Sequence, residues 1–226
     1  MSSQFDYLLK YIIIGDSSVG KSNIISVYRD GTFNEKKQPS IGVEFIAKNI
    51  RINDTIFRLQ IWDTAGQESF LSMIRVYYKN SSCVFIVYDI TEKETFDHVE
   101  FWLNEIKKEA PESIHYVLIG NKNDLEEKRQ IKYEEGKDFA EKHKMMFFEI
   151  SAKNKINIDK IFQESTEYIY NNIDKGLYNL DDDSCGVKLC NTNKNLNIEE
   201  LDIDLSSMEE KNTKKKKEKN VVNRII

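Results

Sequence analysis

An α/β fold, with a mostly parallel six-stranded sheet carrying helices on both faces, follows from three features of this sequence. The stretch Tyr7-Leu8-Leu9-Lys10-Tyr11-Ile12-Ile13-Ile14 is an apolar, β-branched run of strand length. It leads into Gly15-Asp16-Ser17-Ser18-Val19-Gly20-Lys21-Ser22, which fits G-x-x-x-x-G-K-[ST], and the following Asn23-Ile24-Ile25-Ser26-Val27-Tyr28 has apolar residues at helical spacing. Beyond it, apolar strands alternate with amphipathic helices, an order that calls for crossover connections and hence parallel strands.

The loop between that first strand and helix is suited to a phosphate. Backbone N–H groups left free at a helix start point at whatever lies above them, and the helix dipole favours an anion there. Gly15 and Gly20 let the backbone close round the ligand without a Cβ in the way. Lys21 can reach the outer phosphates and the Ser22 hydroxyl can ligate Mg²⁺. Ser17, Ser18, Val19 and Asn23 complete the predicted phosphate-binding set.

The remaining elements follow in order. Residues 30–42, with Gly31, Pro39 and Gly42 among charges, read as an irregular loop. Strands at 43–52 and 55–62 flank Asn53-Asp54, a hairpin with a two-residue turn. Asp63-Thr64-Ala65-Gly66-Gln67-Glu68 comes next, and a short helix is expected to about residue 79. A buried strand at 83–89 precedes one amphipathic helix over 93–109, built on Phe96, Val99, Trp102, Leu103 and Ile106 and ended with the help of Pro111. A strand at 114–120, a helix at 133–144, a strand at 145–151 and a last helix at 157–173 complete the pattern. Ligands of such sheets bind at the carboxyl ends of the strands, where Asp63, Asn121 and Ser151 join the phosphate loop.

Composition narrows the class. The chain has 226 residues, 40% of them hydrophobic, and a net charge of −5. Residues 181–210 hold nine acidic residues and two lysines, a net of −7, and residues 211–226 hold seven basic residues and one Glu, a net of +6. The two blocks nearly cancel, so the body is mildly acidic, which argues against nucleic-acid binding. Residues 177–226 are expected to be a disordered tail, acidic and then basic. Cys83, Cys185 and Cys190 show neither zinc spacing nor a disulfide framework, and Cys83 reads as a small core residue. No apolar run approaches the ~20 residues of a membrane span, and the chain reads as cytosolic and monomeric.

Each downstream motif has a chemical reading. Asp63, at a strand's carboxyl end, can hold the Mg²⁺ shell opposite Ser22; the Gly66 N–H can approach the terminal phosphate; the Gln67 amide can orient an attacking water. In Asn121-Lys122-Asn123-Asp124 the Asp124 carboxylate can accept from a base presenting a ring N–H beside an exocyclic amine, an edge that guanine has and adenine lacks. Ser151, Ala152 and Lys153 can support the base carbonyl through backbone N–H groups, and Phe33 can stack on the base edge or cover a local core.

On these motifs the chain resembles small Ras-like GTPases of the Rab branch, over about residues 5–175. Rab-type segments are matched at 41–45, 58–62, 74–79 and 87–91, and similarity to the Rab-two group of ER–Golgi traffic rests on 10–16, 59–70, Glu134-Glu135-Gly136 and Gly186-Val187-Lys188. The resemblance implies a P-loop G domain over 1–176 that binds GTP or GDP with Mg²⁺ and switches between two states. Residues 30–45 would be the first switch and 65–79 the second. Ser40, which is Thr in the family, would be a further Mg²⁺ ligand. Ile41, Phe45, Trp62 and Tyr77 would be read by effectors, and an exchange factor and a GTPase-activating protein would be further partners. Slow intrinsic hydrolysis is expected, because no arginine in the phosphate loop offers a finger in cis. Asn23 departs from the usual Cys or Ala, and Ser18 replaces the commoner Gly. The sequence finishes Val221-Val222-Asn223-Arg224-Ile225-Ile226, without the prenylated cysteines of Rabs, so either the usual anchor is absent or this is not the biological C-terminus. Lys214, Lys215, Lys216 and Lys217 could still attract an anionic membrane surface, although a solvated charge run is the simpler reading. Two rivals remain: a binding module that holds GTP without cycling, which Gln67 argues against, and a P-loop ATPase or nucleotide kinase, which Asp124 disfavours.

Overall fold

Strand β1 (Tyr7–Ile14) is apolar on both faces because it is covered on both. Leu9, Tyr11 and Ile13 enter one buried cluster, while Ile12 and Ile14 enter the other. The computed structural model describes residues 5–35, 43–64 and 71–190. After β1 come α1 (Lys21–Asp30), β2 (Val43–Ile52), β3 (Thr55–Thr64), α2 (Leu71–Tyr78), β4 (Cys83–Asp89), α3 (Lys93–Asp97), α4 (Val99–Lys107) and β5 (His115–Asn121). Then follow α5 (Tyr133–Lys142), β6 (Met146–Glu149), α6 (Ile158–Asp174) and β7 (Val187–Leu189), with 3₁₀ turns at Asn123–Lys128 and Asp183–Cys185.

The main sheet has the order β2-β3-β1-β4-β5-β6, and only β2, at one edge, runs antiparallel to its neighbour along this path. The β2–β3 hairpin closes with Ile52 opposite Thr55, and Asn53 takes a left-handed conformation (φ 53°) at the turn. Helix α6 seals one face: Phe162 stacks on Tyr28 at 3.7 Å and lies 5.0 Å from Phe85. On the other face Trp102, Leu103 and Ile106 of α4 and Ala140 of α5 pack on Ile12, Val84 and Ile86. Among the described residues no helix is long and apolar enough to cross a membrane.

Two expectations are corrected. The single helix over 93–109 is two, because the backbone departs from a regular helix at His98 (φ −80°, ψ −7°), whose N–H is shared between the carbonyls of Glu94 and Phe96. The second concerns the tail. Residues 177–190 belong to the folded body: Tyr178, Cys185 and Val187 are buried in the α6-side cluster, and β7 adds a seventh strand. The reason lies in β1. Strand β4 pairs only with residues from Tyr11 onward, which leaves the earlier edge of β1 open, and β7 fills it antiparallel, Tyr7 opposite Leu189 and Leu9 opposite Val187. The Lys10 N–H donates to Gly186 O at 3.3 Å and the Cys190 N–H to Asp6 O at 2.7 Å. The late segment 191–226, including Lys214–Lys217, lies outside the described residues, as do Ser40, Ile41, Gly66 and Gln67.

Gly186 makes the return possible. Its φ is +73°, and a Cβ there would lie 2.4 Å from the Ser81 carbonyl carbon and the Ser82 nitrogen, both backbone. Gly186→Ala should therefore weaken β7 docking by about 1–2 kcal/mol. Hydrogen exchange should show the Lys10 amide opening roughly tenfold faster while the α1 amides keep their protection; unchanged exchange at Lys10 would refute this account of Gly186.

Candidate nucleotide site

The phosphate loop lies between the end of β1 and the start of α1, and each of its glycines answers to a different neighbour. At Gly15 (φ 137°) a Cβ would lie 2.2 Å from Val87 O, so β4 leaves no room for a side chain. At Gly20 (φ 98°), the N-cap of α1, a Cβ would lie 2.4 Å from Asn121 Nδ2. Ser18 sits at φ 66°, where a side chain costs roughly 1–2 kcal/mol, so the Gly that is commoner there would be the relaxed residue. Lys21 is buried and donates from Nζ to Gly15 O at 2.8 Å and Asp16 O at 2.6 Å. Burial pushes its ammonium down to about 8, against the pull of Asp63 and Asp16. An arriving phosphate would supply negative charge that favours the cation further.

Asp63 reaches the same end of the sheet through register. It pairs with Ile13 across β1–β3 and is buried, and the neighbouring Thr64 Oγ1 donates to Ile13 O at 2.7 Å. The Ser22 hydroxyl, in the first turn of α1, and the Asp63 carboxylate, beside the end of β1, are hard oxygen donors, and they fit Mg²⁺, which is held by few protein oxygens and keeps several waters. That ion would offset phosphate charge, while the chain's own part is to hold Ser22 on a helix and Asp63 on a strand.

The base end is built from three loops joined through Asn121. Asn121 is buried; its Nδ2 donates to Val19 O at 2.8 Å and its Oδ1 accepts from the Ala152 N–H at 3.2 Å. One side chain thus ties the phosphate loop to the loop after β6. Lys122 takes a left-handed backbone (φ 70°) and pairs with the buried carboxylate of Asp89. The other Asp89 oxygen accepts from the Thr91 N–H at 2.9 Å and the Thr91 hydroxyl at 2.7 Å. Asp124 lies in the 3₁₀ turn after β5, where its Oδ1 accepts from Ser151 Oγ at 2.5 Å, and the Asn154 N–H donates to that hydroxyl at 2.9 Å. Lys153 pairs with Glu35 at 3.4 Å, which links the base loop to the segment after α1, and Phe33 is half-buried against the core.

Some predicted residues make further contacts within the fold, and some partners had no sequence signal. The Asn23 side chain is occupied by the loop beyond α1: Nδ2 donates to Asn34 O at 3.1 Å and the Asn34 N–H returns to Oδ1 at 3.2 Å. Ser17 and Ser18 are exposed. Phe45, Trp62 and Tyr77 form a row of rings with centroids 4.8 and 4.9 Å apart, and the Lys10 ammonium lies 5.8 Å from the Trp62 ring. Lys10 Nζ also donates to Lys79 O at 2.7 Å, and burial pushes its pKa down to about 8. Asp89, the partner of Lys122, is one residue in an apolar strand, and nothing in its spacing announces the pairing.

This geometry agrees with two comparisons. Residues 10–171 match the model of the Ras family. The chain is also 48% identical over 168 residues to the Ras-related protein Rab-2B of Dictyostelium discoideum, an alignment covering 74% of this chain and 83% of the relative. The match spans every described motif that meets at the carboxyl ends of β1, β3, β5 and β6. The chain belongs to the Ras family and is a Rab-type small GTPase: an enzyme that binds GTP with Mg²⁺, hydrolyses it to GDP and phosphate, and acts as a GTP-dependent switch in vesicle traffic.

Proposed function

We propose that this GTPase is a slow switch serving ER–Golgi traffic, with the residues above in defined roles. The observation that carries the reading is Asn121, whose two hydrogen bonds make the phosphate loop and the base loop one pocket. In that pocket the backbone of residues 17–22 cradles the phosphates, Lys21 exchanges its two carbonyl partners for phosphate oxygens, and Ser22, Asp63 and Ser40 hold Mg²⁺. Asp124 accepts from the guanine edge, Lys122 and Ala152 frame the base, Phe33 packs at its side, and Ser151 keeps Asp124 in place. Gln67 orients the attacking water and Gly66 approaches the terminal phosphate. The ring row Phe45-Trp62-Tyr77, together with Ile41, presents the surface that effectors read, and the centroid spacings of the rings support that role. An exchange factor and a GTPase-activating protein set the cycle, and membrane association is peripheral. The assignment to ER–Golgi membranes rests on similarity to the Rab-two group.

Single-turnover hydrolysis of GTP preloaded on the full chain tests this. Wild type should turn over at about 10⁻⁴ to 10⁻³ s⁻¹, and Gln67→Leu should fall at least tenfold below it. Equal rates for the two would favour the non-cycling GTP-binding module, and release of adenine nucleotide from the purified protein would exclude the guanine assignment.

A further inference from the structure

The phosphate loop carries a carboxylate, Asp16, directly before the residues that would meet an anion, and a free negative charge there would oppose binding. The fold disposes of that charge. Asp16 Oδ1 accepts from the Trp102 indole N–H at 2.6 Å, and Asp16 Oδ2 lies 2.7 Å from His98 Nδ1. The two donors are four residues apart, on one side of the α3–α4 segment, and the Trp102 backbone N–H donates to His98 O at 3.1 Å. Trp102 is fully buried in the core, so one of the two donors is fixed by packing, while the His98 side chain is 42% exposed and can exchange protons with solvent. The break in the helix at His98 falls where its ring meets the loop. Meanwhile the Asp16 carbonyl holds Lys21 Nζ. The same residue therefore anchors the phosphate-binding lysine by its backbone and the whole loop by its side chain.

We infer that His98 and Trp102 are positioning residues for nucleotide retention: they clamp the Asp16 carboxylate against α4, keep it away from the phosphates and, when His98 is protonated, neutralise it. The inference rests on the reading of this loop as the nucleotide site and deepens it. The charged groups facing the cleft beside His98 are Asp16 from the loop, Glu92 and Glu94 from the α3 start, Asp89 from the end of β4 and Lys122 after β5; the last two are paired with each other. Of these groups the Asp16 carboxylate is the one the ring touches, with Oδ2 2.7 Å from His98 Nδ1, and that bond is stronger when the imidazole carries a charge. Retention should therefore weaken as pH rises and His98 loses its charge.

Dissociation of N-methylanthraniloyl-GDP from the Mg²⁺-loaded full chain, followed from pH 6 to 8, tests the clamp. His98→Leu should release nucleotide about tenfold faster than wild type at pH 6.5, the effect of losing one charge-assisted hydrogen bond at a half-exposed site. His98→Asn keeps a donor but no charge; it should recover most of the retention and flatten the pH profile. Trp102→Phe, which preserves ring packing and removes the other donor, should also accelerate release. Equal release from His98→Leu and wild type across the pH range overturns the clamp, as does equal acceleration by His98→Leu and His98→Asn, which would mean that the ring only packs. A wild-type protein that retains no guanine nucleotide at all would instead remove the site reading on which the clamp depends.

Discussion

Replacing Gly15 with alanine should destabilise the fold by about 3–5 kcal/mol, more than any other single methyl added to the phosphate loop. The added Cβ would lie 2.2 Å from Val87 O and 3.3 Å from Val87 N, atoms of a central strand with both edges paired. Neither atom is the end of a flexible side chain, so β1 and β4 would have to part, and their separation would reach the buried Ile13 and Ile86. The backbone adds its own cost, since φ 137° lies in a region that residues with a Cβ rarely adopt. Gly176→Ala is the matched control. It shares a positive φ (+71°), but no atom lies within 4 Å of the added Cβ, so it should lose only about 1 kcal/mol. Urea unfolding of both variants separates contact from conformation: similar losses at the two sites would mean that the Val87 contact relaxes freely.

Acidification should unload a second large term through His115. This residue begins β5, is 6% exposed, and stacks on Tyr168 at a centroid distance of 4.1 Å. Its Nε2 makes no hydrogen bond among the described residues, and burial pushes the imidazole down to about 4. The unfolded chain takes up this proton near pH 6.5 while the folded chain resists it until about pH 4. The contribution of the neutral ring is thus intact above pH 6.5 and is lost as pH falls from 6.5 towards 4, by about 3 kcal/mol in all. His115→Phe keeps an aromatic ring against Tyr168 and cannot titrate. Unfolding free energies at pH 7.5 and 4.5 should show the variant within about 1 kcal/mol of wild type at the higher pH and about 2–3 kcal/mol above it at the lower. Parallel pH profiles for the two proteins would show that His115 is not the group responsible.

Much of this protein is written locally. The order of strands and helices follows from the period of apolar residues, because burying one stripe or both faces is settled by neighbours two to four positions apart. The phosphate loop was equally legible, since strand, loop and helix are contiguous and their backbone groups form the anion cradle themselves. Asn121 and Asp124 could be placed by what precedes them, a strand that ends at the loaded end of the sheet. Their joining was not legible, for Asn121 meets Val19, 102 residues away, and Ala152, 31 residues away, through hydrogen bonds that no period encodes.

The misreadings have the same origin. Gly186-Val187-Lys188 has no alternation longer than three residues and follows an acidic run, so local pattern makes it tail; only the vacant edge of β1 beside Tyr7 and Leu9 makes it a strand. Beside the phosphate motif, the Asn23 side chain is held by Asn34, a pairing that no period encodes. Trp102 packs as the apolar face of its helix predicts, but it and His98 also serve a carboxylate more than eighty residues earlier, which no local pattern announces. The elements, their order and the residue types able to bind a guanine nucleotide were readable from the chain, because they depend on near neighbours and on intrinsic side-chain chemistry. Which open edge the late segment closes, which carboxylate is neutralised and which donors hold the loops together emerged only in three dimensions. Those outcomes depend on packing and desolvation between segments that the sequence keeps far apart.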